Sequence, residues 1–155
     1  MDEHTFVMEQ SPSPESVDQL GSIVESYMGE YFFGDFAECV RIDAPFQRLC
    51  CLRGETGIVS FILFTCLDGC PHITAMATRK DMRGKGYGKR LMEFFTEHVS
   101  RLGFRGIEVM AWSEKTRPEC VPTQGFYRSS GFVIKREYAD LWAPGMITVK
   151  MKKSW

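Results

Sequence analysis

The stretch "MRGKGYGKRLMEFF", residues 82–95, places three glycines among basic residues where an apolar pattern of helical spacing begins. The first turn of a helix has free backbone N–H groups, and the helix dipole favours negative charge there. Glycine at Gly84, Gly86 and Gly88 would let the backbone approach a ligand closely, while Arg83 and Lys89 add positive charge. The pattern predicts a loop that binds a phosphate group.

The spacing of this loop disfavours the two commonest nucleotide-binding loops. The dinucleotide pattern GxGxxG requires glycine at position 89, where the chain has Lys89. The pattern GxxxxGK[ST] requires glycine at position 83 and Ser or Thr at position 90, but Arg83 and Arg90 stand there. A phosphate-binding loop in a nucleotide enzyme is therefore disfavoured, while a flexible connection followed by a solvated basic helix end remains open.

Apolar periodicity predicts the elements that hold this loop. A helix capped by Ser16 and a short helix or loop over residues 31–40 come first, followed by strands over 46–52, 57–67 and 72–78. The loop then opens a helix that ends at Gly103, and a strand over 106–112, a helix near 122–130 and two last strands follow. This order predicts a mixed sheet covered by helices, in one domain over 1–155 with the first ten or so residues as a flexible segment.

Composition narrows the class of protein. The 155 residues are 44% hydrophobic, enough for one core, and the net charge of -1 argues against nucleic-acid or anionic-membrane partners. The acidic N-terminus, the lack of an 18-residue apolar run and six cysteines without a CxxC pair predict a soluble, cytoplasmic protein. Cys66, Cys70 and His72 lack a fourth ligand at a usual spacing, so no metal is predicted.

Two motifs together resemble those of the GNAT superfamily of N-acetyltransferases. Arg83, Gly86 and Gly88 form R-x-x-G-x-G after a strand that ends in "MAT", and "GFYRSSGF" at 125–132 follows about forty residues later. The resemblance runs from about residue 46 to the C-terminus. It implies the GNAT fold, an α/β (α+β) arrangement with a mixed, mostly antiparallel sheet of six to seven strands, about four flanking helices and strands splayed at the coenzyme A site.

The resemblance also implies an activity. GNAT enzymes transfer acetyl from acetyl-CoA, here to a primary amine of a small molecule or peptide by direct attack in a ternary complex, with no metal. A non-catalytic acyl-CoA binding or sensing module on the same fold is the alternative. Residues of the chain that match the coenzyme site of the family are Met76, Ala77, Thr78, Arg83, Gly84, Lys85, Gly86, Tyr87, Gly88 and Lys89. Thr78 stands where the family usually has valine, and its expected contact is made by the backbone.

The catalytic groups follow from the same resemblance. Tyr127 matches the tyrosine that can protonate the departing thiolate, and the backbone amide of Met76 or its neighbour would bind the oxyanion. His72 stands where histone acetyltransferases have a catalytic glutamate and serotonin N-acetyltransferase a histidine. Imidazole suits a base near neutral pH, while Glu108 on the next strand and a chain of water molecules remain alternatives. Strand alternation predicts that His72, Thr74, Met76 and Thr78 share one face.

Three further expectations concern the acceptor, a covalent route and assembly. In GNAT relatives the first two helices and the last hairpin wall the acceptor pocket. Here this implies Tyr31, Phe32, Phe36 and Trp142, with Tyr27 and Phe33 beside them. Asp35 or Glu38 would bind an ammonium, although the aromatic residues are equally consistent with a plain core. Cys120 could carry the acetyl group in a ping-pong route, which the family mostly does not use. A homodimer through the late strands is implied by resemblance only.

Overall fold

The structure, a computed structural model, describes residues 4–155. Seven strands and four α-helices occur within that range, joined by three short 3-10 turns. The strands are β1 Thr5–Glu9, β2 Arg48–Gly54, β3 Gly57–Leu67, β4 Cys70–Thr78, β5 Gly106–Trp112, β6 Val133–Ala139 and β7 Ile147–Ser154. The helices are α1 Pro14–Glu25, α2 Phe36–Asp43, α3 Tyr87–Arg101 and α4 Val121–Ser129.

All seven strands form one sheet in the order β1-β2-β3-β4-β5-β7-β6. Every neighbouring pair is antiparallel except β4 and β5, which run parallel because α3 crosses over between them. This mixed, mostly antiparallel sheet with four helices confirms the predicted fold class.

The sheet separates two apolar cores. On one face α3 packs through Leu91, Met92 and Phe95 against β3, β5 and β7, and α4 adds Tyr127. On the other face α1 and α2 pack through residues such as Leu20 and Val40 against β2, β3 and β4. Both faces of β3 are covered, which explains its nearly continuous apolar sequence, "GIVSFILF".

The N-terminal part differs from the sequence prediction. Residues 1–3 lie outside the described part of the chain, but Thr5–Glu9 form β1, paired with β2, instead of belonging to a flexible segment. Helix α1 is capped by Ser13, whose hydroxyl accepts a hydrogen bond from the Ser16 amide, so the prediction of Ser16 as the cap is wrong. Pro14 at the first helical position explains the earlier start.

A β-bulge in β4 overturns the predicted alternation of side chains. The register between β3 and β4 shifts because Leu63 pairs with Ala75 while Phe64 pairs with Ile73, which leaves Thr74 as the extra residue. Ile73 therefore belongs to the α3 core but Ala75 to the α1 core. Met76 packs against the same core as Ile73, so His72, Thr74, Met76 and Thr78 do not share one face.

None of the helices within residues 4–155 combines the length and the apolar character needed to cross a bilayer.

Candidate active site

The site is built where β4 and β5 part. The two strands pair only at His72 with Glu108 and at Ile73 with Val109, within the described chain. Beyond these pairs β4 continues to Thr78 and β5 to Trp112 without a ladder between them. The gap opens into a cavity of about 1100 Å³ that runs along β4 to the glycine loop. An edge of β4 with free backbone groups thus faces the cavity.

The glycine loop lies at one end of this cavity. Gly84 and Gly86 have φ of 75° and 80°, a backbone conformation that glycine adopts without strain. Gly86 also caps α3, and its carbonyl accepts the first intrahelical bond, from the Arg90 amide. A side chain at either glycine would meet no atom within 4 Å, so the need for glycine is conformational and the loop surface stays open for a ligand.

Nearly all residues predicted to bind the coenzyme line the cavity, namely Met76, Ala77, Thr78, Arg83, Gly84, Gly86, Tyr87, Gly88 and Lys89. Lys85 is exposed and is not among the lining residues. The guanidinium of Arg83 turns away from the loop towards the segment after α1, where it donates to the Tyr31 hydroxyl at 3.2 Å. It also lies 3.6 Å from the Glu30 carboxylate, so the guanidinium interacts with residues that follow α1.

His72 and Glu108, the first and second candidates for the base, are neighbours. The Nδ1 atom of His72 lies 3.4 Å from Oε2 of Glu108, and His72 lines the cavity whereas Glu108 does not. The ammonium groups of Lys150 and Lys152 approach the same carboxylate at 3.5 and 4.0 Å. Glu108 is therefore held in a cluster of charges, and only the histidine offers an atom to the cavity.

The thiol of Cys70 completes a group of three potential metal ligands with His72 and Glu108. Their donor atoms lie within 4.8 Å of one another. The two lysine ammonium groups beside the Glu108 carboxylate oppose a divalent cation, because they already supply positive charge to it. The sequence prediction had grouped Cys66 with Cys70 and His72, but Cys66 lies outside this cluster.

Tyr127 lies on α4 with its ring in the core and on the cavity wall. It is 6% exposed, and its ring packs edge-on against Phe126 and Phe132. Burial alone raises the pKa of Tyr127 well above its ordinary value, so the hydroxyl is protonated at neutral pH. A buried phenol of this kind can donate a hydrogen bond to an anion that forms next to it.

Cys120 also lines the cavity, at the start of α4, but its environment does not favour a nucleophile. The side chain is 2% exposed. Burial raises the pKa of its thiol to about 11, chiefly because the low-dielectric surroundings penalise a thiolate. The thiolate is the reactive form of cysteine, so this position disfavours an acyl-cysteine route.

The end of the cavity opposite the glycine loop is aromatic. Tyr31, Phe32, Phe36 and Trp142, all predicted for the acceptor, line the cavity, and the Tyr31 hydroxyl also accepts a hydrogen bond from Arg83. Asp35 lines it as well, whereas Glu38 does not. Tyr31 and Phe32 come from the turn between α1 and α2, and Trp142 from the turn between β6 and β7.

Sequence reasoning missed two residues of this end, Trp112 and Arg117, which lie beside Phe33, a residue that it did name for the acceptor pocket. Phe33, Trp112 and Arg117 meet there from three separate segments: the α1–α2 turn, the end of β5 and the loop before α4. The ring of Trp112 also packs edge-on against Trp142, with centroids 4.9 Å apart. For the two missed residues the only signal in the sequence was the tryptophan that ends "GIEVMAW", since nothing in "SEKTRPE" marks its arginine.

Comparison with known proteins identifies the protein family to which the chain belongs. Residues 45–134 match the family described as acetyltransferase (GNAT) domain. The chain therefore belongs to the GNAT acetyltransferase family, which confirms the resemblance drawn from its two motifs. Members of this family are acyltransferases that use acetyl-CoA.

Solved structures share the fold over nearly the whole chain. A GNAT-family protein from Desulfovibrio desulfuricans has a TM-score of 0.82 at 13% identity, over 97% of this chain and 99% of that one. Ard1 from Thermoplasma volcanium has a TM-score of 0.73 at 15% identity, over 96% and 97%. An aminoglycoside 6'-N-acetyltransferase in complex with coenzyme A has a TM-score of 0.71 at 15% identity, over 96% of each chain. No curated protein matches the sequence.

Proposed function

We propose that the protein transfers the acetyl group of acetyl-CoA to a primary amine of a small molecule or peptide, by direct attack while both substrates are bound. The observation that carries this proposal is the continuity of one cavity from the glycine loop, past His72 and Tyr127, to the aromatic end. Coenzyme and amine can then meet where β4 and β5 part, without either leaving the site between steps.

The coenzyme would enter from the glycine-loop end. Backbone N–H groups at the start of α3 bind the pyrophosphate, and Lys89 adds a positive charge on the same wall. The free edge of β4 then offers backbone groups to the amides of the pantetheine arm, as an added strand would. This arrangement points the thioester towards the parting of the strands and brings it to Tyr127.

The amine must lose a proton before it attacks, because a primary ammonium ordinarily titrates near pH 10. His72 is the base in this proposal, since its imidazole lines the cavity at the parting of the strands. When Nδ1–H is directed to the Glu108 carboxylate, Nε2 is left with its lone pair to accept the proton. Glu108 thus positions the imidazole instead of acting as the base itself.

Charge then develops on the carbonyl oxygen and on the leaving sulfur. A backbone N–H on the free edge of β4 near Met76 is the donor for the oxyanion. Tyr127 donates a hydrogen bond, and finally a proton, to the thiolate. Burial raises the pKa of Tyr127, so this donor keeps its proton at neutral pH.

A thermal shift experiment followed by a turnover assay tests this function. Acetyl-CoA and coenzyme A should each raise the melting temperature, because they bind the native state, whereas ATP should not. Thiol release should then depend on an added primary amine. No shift with either coenzyme contradicts the proposal, while a shift without thiol release over a broad amine panel favours the non-catalytic alternative.

We also propose a cytoplasmic location and a homodimer. All six cysteines are free, which suits a reducing compartment. Strand β6 is an edge of the sheet, and Val133 and Ile134 on it are exposed, so pairing of two β6 edges would cover apolar surface. Light scattering of the purified protein tests the dimer, and a monomer mass at micromolar concentration contradicts it.

A further inference from the structure

The guanidinium of Arg117 occupies a corner between two aromatic rings at the acceptor end of the cavity. Its Cζ atom lies 3.8 Å from the ring centroid of Phe33 and 4.3 Å from that of Trp112. The two rings are perpendicular, with centroids 6.0 Å apart. The backbone amide of Arg117 donates to the Ser113 carbonyl at 2.9 Å, which fixes the base of the side chain. The group is therefore held in place before any ligand arrives.

The positive charge of this side chain has one carboxylate partner, which is itself partly exposed. Its nearest carboxylate oxygen belongs to Glu119, at 3.4 Å from one Nη, and the side chain of Glu119 is 42% exposed. The Nε–H of Arg117 is buried and has no hydrogen-bond partner within residues 4–155. One Nη is paired with Glu119, but the other makes no hydrogen bond within residues 4–155, so the guanidinium can still pair with a ligand in the cavity that Arg117 lines.

We propose that the acceptor amine carries a carboxylate and that Arg117 binds it. This inference rests on the proposed function, because it names the acceptor of that same reaction. A guanidinium presents N–H groups in a planar fork that matches the two oxygens of a carboxylate. The aromatic rings around it shield this pair from water and accommodate an apolar linker.

The single charge favours a carboxylate over a phosphate. The other cations among the described lining residues are Lys89, at the start of α3, and Arg83, whose guanidinium already lies 3.6 Å from the Glu30 carboxylate. One guanidinium among aromatic rings matches a monoanion, whereas a phosphate dianion would leave a second charge uncompensated in an apolar site. The Arg117 end of the cavity therefore differs in kind from the coenzyme end.

Strand geometry sets the spacing between amine and carboxylate. His72 contacts Glu108 and Arg117 contacts Trp112, and both contacted residues lie on β5. Four residues separate them, a distance of about 13 Å at a strand rise of about 3.3 Å per residue. The imidazole and the guanidinium both line the same cavity. The acceptor therefore has several bonds between its two groups, as in an ω-amino acid or short peptide, and is not an α-amino acid.

Matched probes test the inference. 4-(Aminomethyl)benzoate has a carboxylate across a flat linker from its amine, and 4-(aminomethyl)benzamide differs only in that charge; glycine has one carbon between its groups. We expect kcat/KM for the benzoate to exceed that for the benzamide by about ten- to a hundredfold, with glycine poor. Arg117→Gln should remove this preference, and Arg117→Lys should restore part of it because the charge returns without the fork.

The control is Arg128→Gln, which removes an arginine paired with Glu114 outside the cavity and should keep the preference. A coenzyme A thermal shift identifies folded variants. Equal kcat/KM for both probes, or an equal loss with both in Arg117→Gln, overturns the inference and leaves the proposed function standing. Calorimetry of the benzoate with coenzyme-saturated protein separates the two: binding that depends on Arg117 without thiol release supports the site and contradicts the transfer.

Discussion

His72 and Glu108 face each other one residue before β4 and β5 part, with Nδ1 and Oε2 3.4 Å apart. The pair thus lies next to the point where the two strands part, and His72 lines the cavity there. Of these two residues only His72 lines the cavity, whereas the Glu108 carboxylate lies 3.5 Å from the Lys150 ammonium. The two candidates for the general base therefore have different surroundings. His72 contacts the cavity, and Glu108 contacts His72.

This arrangement predicts coupled effects of substitution. His72→Ala should lower kcat by about a hundredfold, because the amine loses its proton acceptor. Glu108→Gln should lower kcat by about tenfold in the wild-type background but have little effect when His72 is already alanine. Thiol release with an amine that the wild type acetylates measures both. If Glu108→Gln is equally harmful in the two backgrounds, Glu108 does not act through His72.

Tyr127→Phe tests the proton donor. The substitution removes one oxygen from a buried ring and should lower kcat by about a hundredfold, because the departing thiolate loses its donor. The dissociation constant of acetyl-CoA, measured by calorimetry, should change less than about twofold, since the phenylalanine ring keeps its packing. Tyr138→Phe on β6, outside the cavity, is the matched control. An unchanged kcat in Tyr127→Phe would assign this hydroxyl no role in transfer.

Cys120→Ala distinguishes direct transfer from a ping-pong route. Burial raises the pKa of the Cys120 thiol to about 11, so it is almost wholly protonated at neutral pH. We expect the variant to retain kcat within about threefold, because an inert thiol contributes packing only. Mass spectrometry of the wild type after incubation with acetyl-CoA alone should show no acetylated Cys120 peptide. A stable acetyl adduct there, together with loss of turnover in the variant, would establish the covalent route.

The parts of the structure that sequence predicted are those that local patterns determine. The strand over 57–67 has the predicted bounds because a continuous apolar run lies between two turn signals. The glycine loop has the predicted place because Gly84 and Gly86 adopt positive φ at a helix start. The two family motifs, local as well, predicted the fold and most of the residues along the coenzyme side of the cavity.

The parts that sequence did not predict depend on long-range contacts. Strand β1 is short and half-exposed, and its pairing with β2 joins segments about forty residues apart, as in Val7 with Cys51. The bulge at Thr74 follows from the register with β3, which no single strand encodes. The position of Arg117 requires three separate segments of the chain to converge, and one arginine in a polar loop carries no local signal of that convergence.

Gly86→Ala tests the loop that begins α3. Because φ at Gly86 is 80°, a Cβ there should lower the free energy of unfolding by about 1–2 kcal/mol, even though no atom lies within 4 Å of it. The change should also weaken acetyl-CoA binding, since relaxation of the strain turns the backbone N–H groups away. Chemical denaturation and calorimetry measure the two effects.

The matched control for this substitution is Gly125→Ala. Gly125 lies inside α4, does not have a positive φ and has open space around it, so alanine should stabilise the helix by up to about 1 kcal/mol. Opposite signs for the two glycines are the expected result. If Gly86→Ala proves as stable as wild type with unchanged coenzyme affinity, the loop conformation described here is not the one that binds.

Buried thiols predict a loss of stability at alkaline pH. Burial raises the pKa of the fully buried Cys51 to about 11, whereas the thiol in the unfolded chain has the ordinary pKa of about 9.0. Between these values the unfolded state binds fewer protons than the folded state, so the free energy of unfolding falls as pH rises, by up to about 1.4 kcal/mol per pH unit from this group. Below about pH 9 the Cys51 thiol makes its full contribution to stability.

Urea denaturation between pH 8 and 11 should show a shallower decline of the free energy of unfolding in Cys51→Ala than in wild type. Cys66→Ala, which changes an exposed thiol, should alter the slope less. Equal slopes in all three proteins would mean that the Cys51 thiol ionises as readily in the folded chain as in the unfolded one.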